Sequence, residues 1–276
     1  MIWKQFFTLV KSMDGNQTKA YMEEHLGDAY TLLDVRQPKE YQAGHIPGAV
    51  LIPVGELDKR IGELDPSKPT IVYCAVGGRS RVAAQMLAGK DFETVYNMSG
   101  GIKAWKSGKA VGPEDLGLAL FTGSETPEQT LAVAYGLEQG LRDFYLSMIP
   151  GINNKEAAEL FQKLADIEIK HQGRLLKLYE HVTGKSVDQN EFERNTVQPA
   201  LEGGLSTQEY LNLYKPDPES ILDILSLAMA IEAQALDLYQ RAAVRADDEQ
   251  TENVLQQITD EERAHIKLIG QFIDNM

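Results

Sequence analysis

From residue 126 onward, apolar positions recur every three or four residues, the period of a helix with one buried face. Four long helices are predicted, at about 127–149, 154–183, 218–245 and 249–274. Thr126-Pro127-Glu128-Gln129 supplies an N-cap, a proline at the first helical position and a capping-box glutamine. Asp217-Pro218 is expected to open the third helix in the same way. Short loops at Pro150-Gly151 and near Asp247-Asp248 join the helices into two hairpins, and a polar stretch over 184–217 connects the hairpins. Two hairpins with one long crossover define an all-α four-helix bundle of ferritin-like connectivity. The crossover is needed because the second and third helices run parallel, so the chain must travel back roughly 45 Å, the length of about thirty helical residues.

Ahead of residue 110 the pattern is different. Short β-rich runs at Thr31–Val35, Val50–Ile52, Thr70–Tyr73 and Thr94–Tyr96, with Phe7–Val10 as a further edge, alternate with helical stretches such as Asn16–Leu26 and Ser80–Leu87. That order predicts an α/β domain with a mostly parallel sheet and flanking helices. The chain thus divides into an α/β domain over 1–110, a linker over 111–125 and the bundle over 126–276.

The bundle's apolar stripes are interrupted by acid. The second helix reads Leu160, Leu164, Glu168, His171, Leu175, Leu178, and the fourth reads Val254, Ile258, Glu262, His265, Ile269, Phe272. In the first and third, Glu138 and Glu232 occupy the equivalent positions, each followed seven residues later by tyrosine, Tyr145 and Tyr239. Every member of the second set is the first shifted by 94 residues. The midpoint of 138 and 168 falls in the first hairpin loop, and the midpoint of 232 and 262 falls in the second. Residues equidistant from a hairpin turn share one height, so the four glutamates converge in a single layer, with each histidine one turn away on the same face. Four buried carboxylates need compensating charge. Two divalent cations supply it, and oxygen-rich ligands with one imidazole per metal suit iron or manganese. The tyrosines lie two turns, about 10 Å, from this layer and read as core packing.

Charge sharpens the division. Residues 1–110 carry 14 Lys+Arg against 12 Asp+Glu, and residues 111–276 carry 13 against 29, a net of about +2 and −16 respectively. A strongly acidic bundle argues against nucleic acid or an anionic membrane as its partner. The apolar run Phe6–Val10 is too short for a signal-peptide core, and no stretch approaches membrane-spanning length, so a cytoplasmic location is expected.

The chain has one cysteine, Cys74, which excludes an intrachain disulfide and any Cys-rich metal site. Cys74 ends a predicted strand and begins Cys74-Ala75-Val76-Gly77-Gly78-Arg79-Ser80, with a helix directly after. Glycines let successive N–H groups turn toward the sulfur, and the helix N-terminus and Arg79 add positive potential. Such a site favours an anionic thiolate or persulfide. Four residues separate Cys74 from Arg79, a cradle smaller than the five-residue loop of phosphatases and better matched to sulfur than to phosphate.

Four ordered motifs, Leu33-Asp34-Val35-Arg36, Glu40-Tyr41, Gly44-His45-Ile46-Pro47-Gly48-Ala49 and Gly100-Gly101-Ile102-Lys103-Ala104-Trp105, together with the cysteine loop, resemble a single-domain rhodanese over residues 5–108. The resemblance implies a sulfurtransferase with Cys74 as nucleophile, taking sulfur from thiosulfate or a persulfide and passing it to a thiol or cyanide. It also implies that Arg79 and the amides of residues 75–80 hold the anion, with Asp34 and Arg36 in support and His45 a mark of the fold. Residues 126–275 resemble the rubrerythrin branch of the ferritin-like superfamily. That resemblance implies a non-haem di-iron centre held by Glu138, Glu168, His171, Glu232, Glu262 and His265, with chemistry toward peroxide or oxygen. Rubrerythrins often carry a further glutamate three residues from the third-helix ligand, where this chain has Met229 and Ala235 on either side, and a four-cysteine electron-transfer domain, which one cysteine cannot build. The electron donor is therefore expected to be external, and self-association through the bundle is a further expectation. A competing reading makes the bundle a metal-binding sensor or iron-handling module, with the rhodanese-like domain sensing sulfur.

Overall fold

A computed structural model of the chain describes residues 10–25, 29–196, 205–217 and 219–276. They form two compact units that divide between Glu114 and Asp115.

The first unit is built on five strands, β1 (Lys11–Met13), β2 (Thr31–Asp34), β3 (Val50–Leu51), β4 (Thr70–Tyr73) and β5 (Val95–Met98). Their order is β1-β5-β4-β2-β3, and every pairing is parallel. Helices α1 (Gly15–Glu24), α2 (Pro38–Gln42), α3 (Leu57–Arg60) and α4 (Gly78–Ala88) connect them. Two apolar clusters cover the sheet, one around Leu33, Val72 and Leu87, the other around Tyr41, Ile71 and Trp105. The central strand β4 is buried along its whole length, as expected for a strand covered on both faces. The edge strand sits at Lys11–Met13 rather than Phe7–Val10, of which residues 7–9 lie outside the described residues, as does Leu26 at the expected end of α1.

The second unit contains the four expected long helices, α5 (Pro127–Met148), α6 (Lys155–Thr183), α9 (Ile221–Arg245) and α10 (Glu249–Asp274). Thr126 caps α5 through the expected capping box, and Asn154 and Asp248 cap α6 and α10. The third long helix starts later than its Asp217-Pro218 signal suggests, because the Ser220 hydroxyl accepts the Asp223 N–H and fixes the N-cap there; Pro218 lies outside the described residues. Helices α5 and α6 pack as one hairpin, and α9 and α10 as the other.

The crossover is more ordered than a polar connection. It holds α7 (Gln189–Thr196) and α8 (Thr207–Tyr214), the latter closed by a capping box between Ser206 and Glu209. Phe192 of α7 packs into the core half that contains Leu131, Leu175 and Val254, while Tyr210 of α8 packs into the half that contains Leu141, Phe161 and Ile224. One apolar anchor at each end of the bundle lets the crossover run its length. Residues 115–125 also join this unit: Leu118 and Phe121 are buried in its core, and the Asp247 N–H donates to the Gly123 carbonyl. At Gly123 φ is +97°, and a Cβ would lie 2.4 Å from the Arg245 carbonyl oxygen, so only glycine fits there. Among the described residues no helix is long and apolar enough to cross a membrane.

Candidate functional site

The two apolar halves of the bundle meet at a polar layer. Glu138 from α5, Glu168 and His171 from α6, Glu232 from α9, and Glu262 and His265 from α10 all come together there. All four glutamates are 0% exposed, and the histidines 4% and 3%. The Glu168 carboxylate spans the layer, with one oxygen 3.1 Å from His171 Nδ1 and the other 3.5 Å from His265 Nδ1. His171 Nδ1 also lies 3.5 Å from Glu138, and His265 Nδ1 lies 3.1 Å from Glu232 and 3.8 Å from Glu262. The two imidazoles, which the 94-residue repeat relates to each other, stack at 4.9 Å with their planes 6° apart.

This donor set fits two metal ions. Neither oxygen of Glu138 receives a hydrogen bond, nor does His171 Nδ1 make one, although each is buried. Leaving such groups uncompensated costs several kcal/mol apiece. Among the described residues, two imidazoles face four carboxylates in the layer. Burial opposes ionisation of Glu138 and Glu232, and the imidazoles outweigh it, holding both carboxyls below their usual range. Burial disfavours the His265 cation, and Glu232 overcomes that to raise its pKa. The donors thus favour carboxylates with negative charge left over, the state that binds divalent cations.

Two neighbours touch this layer: Tyr145, expected as core packing two turns away, and Glu261, to which the sequence pattern assigns no role. The Tyr145 hydroxyl donates to Glu232, and burial followed by the Glu232 charge pushes its pKa well up. Spacing alone put Tyr145 about two turns away, but helical side chains lean toward the N-terminus, which carries the phenol back over the intervening turns. Glu261 places a carboxylate oxygen 3.5 Å from His171 Nδ1 and is bound by Arg174 at 2.5 Å. Its signal was the Glu-Glu pair at 261–262, of which only the second member follows the repeat.

In the first unit, β4 delivers Cys74 to the base of α4, where the thiol is 1% exposed. The Gly77 N–H donates to Cys74 Sγ at 3.1 Å, and the Ser80 hydroxyl lies 3.4 Å from it. Burial pushes the thiol up, but the Ser80 hydroxyl and the backbone N–H groups of Ser80, Val76 and Gly77 outweigh burial and bring it below its ordinary value. Gly77 adopts φ +99°, the left-handed conformation that turns its N–H inward. Gly101, at φ +56°, lets the following 3-10 turn press on the loop: a Cβ there would lie 2.2 Å from the Cys74 carbonyl oxygen. Ile102 and Lys103 N–H groups then donate to the Cys74 and Ala75 carbonyls.

The remaining expected residues fall around this loop with different partners. Arg79 makes a bidentate pair with Glu40, both bonds 2.7 Å, and this pair holds the Glu40 carboxyl down at about 2. The Ser80 hydroxyl also donates to Asn97 Oδ1 at 2.7 Å, which fixes the position of its oxygen beside the sulfur. Neither Glu40 nor Asn97 was assigned a role by the sequence reading, because their partners lie 39 and 17 residues away. Asp34 and Arg36 form a buried pair at 2.7 Å, and Arg36 also donates to the Gly44 carbonyl, pinning the 44–49 segment to β2. His45 is buried and stacked 3.7 Å from the Tyr41 ring. Ala75 and Gly78 complete the loop, with Val76 59% exposed at its rim.

A parallel five-stranded sheet carrying a cysteine loop, followed by a four-helix bundle with two Glu-x-x-His helices, defines a two-domain class of protein. Residues 18–108 match the rhodanese-like domain family, and residues 129–268 match the Rubrerythrin family. The chain belongs to the rubrerythrin family and carries a rhodanese-like domain ahead of its bundle. It is 40% identical over 90 residues to the uncharacterized protein YqhL of Bacillus subtilis strain 168, a match spanning 32% of this chain and 71% of that protein. It is 38% identical over 78 residues to the "Putative sulfur carrier protein YrkF" of the same strain, spanning 28% of this chain and 42% of that protein. A crystal structure of a rhodanese-like domain protein from Staphylococcus aureus is 27% identical, covering 35% of this chain and 91% of that one, with a TM-score of 0.33.

Proposed function

We propose that the chain is a Cys74 sulfurtransferase joined to a di-iron oxidoreductase that reacts with peroxide or oxygen. The observation that carries the first half is the Gly77 N–H donated to the Cys74 sulfur, with the Ser80 hydroxyl 3.4 Å away, which together bring the thiol below its ordinary value. The thiolate attacks the outer sulfur of a thiosulfate-type donor, the S–S bond breaks, and sulfite leaves with the electron pair. A thiol acceptor, as thiolate, or cyanide then attacks the outer sulfur of the Cys74 persulfide. The bond between the two sulfurs breaks and its electron pair returns to Cys74. Between these steps the same donors hold the negative charge. Arg79, fixed by Glu40, keeps the loop beside a permanent cation. The name "Putative sulfur carrier protein YrkF" agrees with sulfur held in transit on such a cysteine.

In the second half, Glu138, Glu168, His171, Glu232, Glu262 and His265 are the groups that would hold the metals. When bound, two iron ions supply the electrons for reducing peroxide or oxygen. Apolar packing covers that layer above and below along the bundle, and the Tyr145 hydroxyl donates its proton in a hydrogen bond to Glu232 Oε1. Electrons come from an external donor, since the chain's one cysteine cannot build a four-Cys centre. Removing peroxide keeps a thiolate such as Cys74 from irreversible oxidation, which gives the two activities a common purpose.

Two assays test the reading. Thiocyanate formation from thiosulfate and cyanide is expected in the wild type and absent in Cys74→Ser. Anaerobically Fe(II)-loaded protein with an artificial reductant is expected to consume many equivalents of peroxide. Thiocyanate formation by Cys74→Ser at the wild-type rate refutes the first half, and peroxide consumption that stops at one equivalent refutes the second.

A further inference from the structure

The 94-residue repeat relates Glu138 to Glu232, Glu168 to Glu262 and His171 to His265, but residues beside the ligands depart from it. Glu261 corresponds to Ile167, and its partner Arg174 corresponds to Leu268. An ionic pair in one half of the repeat is therefore an apolar pair in the other. All four side chains, with His171 and His265, line a groove of about 1100 Å³ over α6 and α10. Glu261 is anchored at one end: its Oε1 lies 2.5 Å from the Arg174 guanidinium, and its Oε2 lies 3.5 Å from His171 Nδ1. Donor atoms of Glu138, His171 and Glu261 all fall within 4.8 Å of one another, the spacing of ligands around one ion. His171 is 4% exposed, and its Nδ1 faces carboxylate oxygens of Glu168, Glu138 and Glu261 at 3.1, 3.5 and 3.5 Å.

We propose that Glu261 is a seventh ligand, binding only the ion on the His171 side, so that the two metal ions are chemically inequivalent. The inference rests on the di-metal reading above. Arg174 acts as a positioning residue, holding one oxygen so that the other faces the ion. The added carboxylate gives the His171-side ion one more hard ligand and one more negative charge, which tighten its hold on a divalent metal. On the His265 side the repeat puts Ile167 and Leu268 in place of Glu261 and Arg174, and neither offers a ligand atom.

Anaerobic Fe(II) titration followed by Mössbauer spectroscopy tests this on the full chain. In the wild type, two ions are expected to bind in two resolved steps and to give two distinct quadrupole doublets. Glu261→Gln keeps the shape and an acceptor for Arg174, and far-UV circular dichroism of the apo protein checks its fold. The variant is expected to weaken the tighter step on the order of 100-fold and to draw the two doublets together. Arg174→Gln leaves the carboxylate in place and is expected to retain most of the tight step. An unchanged isotherm and spectrum in Glu261→Gln overturn the proposal, as does equal loss in the two variants, which would assign the effect to the salt bridge. A wild type that binds fewer than two ions removes the di-metal reading itself.

Discussion

Replacing Glu138 by leucine should stabilise the metal-free bundle while weakening the metal-bound one. Five carboxylates, counting Glu261, face two imidazoles and the Arg174 guanidinium in and around the layer, so removing one relieves negative charge rather than stranding a cation. Glu138 meets His171 at 3.5 Å, but His171 keeps the carboxylates of Glu168 and Glu261 at 3.1 and 3.5 Å, so leucine leaves no imidazole stranded. Exchanging a buried ionic group for a hydrophobic one of similar volume stabilises by about 1–4 kcal/mol. Taking roughly 2 kcal/mol, the apo melting temperature rises by about 4–8 °C for a unit of this size. With free Fe(II) at a hundred times the Kd, a bound site adds about 2.7 kcal/mol to the wild type, and the variant forfeits the part that depends on Glu138. The order of stability should therefore invert on adding metal. Differential scanning calorimetry with chelator and with excess Fe(II) under argon reads both states. An apo variant that melts below the apo wild type refutes the argument, because it would mean that Glu138 is stabilising without metal.

Other consequences concern the cysteine loop. Ser80→Ala removes the hydroxyl near Cys74 Sγ and should raise the thiol pKa, slowing iodoacetamide alkylation at neutral pH by about three- to tenfold. Gly101→Ala forces a Cβ against the Cys74 carbonyl at a positive φ and should destabilise the first unit by roughly 2–4 kcal/mol, seen as faster hydrogen exchange in β4 and α4. The folded-state pKa of Glu40 lies below its ordinary 4.5, so the Glu40–Arg79 pair contributes fully above pH 4.5 and is lost as pH falls toward about 2. Both side chains are about one-third exposed, which limits that contribution to about 1 kcal/mol; carboxyl NMR should find Glu40 still ionised at pH 3 in the wild type, with an ordinary titration in Arg79→Gln.

The parts of this molecule written in local periodicity were legible before any coordinates. Long amphipathic helices with strong caps, such as α5 behind Thr126-Pro127, announce both their faces and their ends. The glutamate layer was legible too, because hairpin geometry converts sequence distance from a turn into height along a bundle. Short elements were harder: α7 and α8 have only eight residues each, too few turns to establish a period, and they are held by single anchors, Phe192 and Tyr210. Leu118 and Phe121 looked like linker residues because their partners are in distant helices. Tyr145, Glu40, Asn97 and Glu261 share that property. Their roles come from contacts 17 to 90 residues away in sequence, as in Tyr145 to Glu232 across 87 and His171 to Glu261 across 90, and spacing does not encode them.

The most direct test of the paired metal site is the metal content of Glu168→Ala. Glu168 is the carboxylate that reaches both imidazoles, at 3.1 and 3.5 Å. After anaerobic iron loading and removal of excess, two ions per chain are expected in the wild type and fewer than one in the variant. Two ions retained without Glu168, or none bound with it, would contradict a shared di-metal layer.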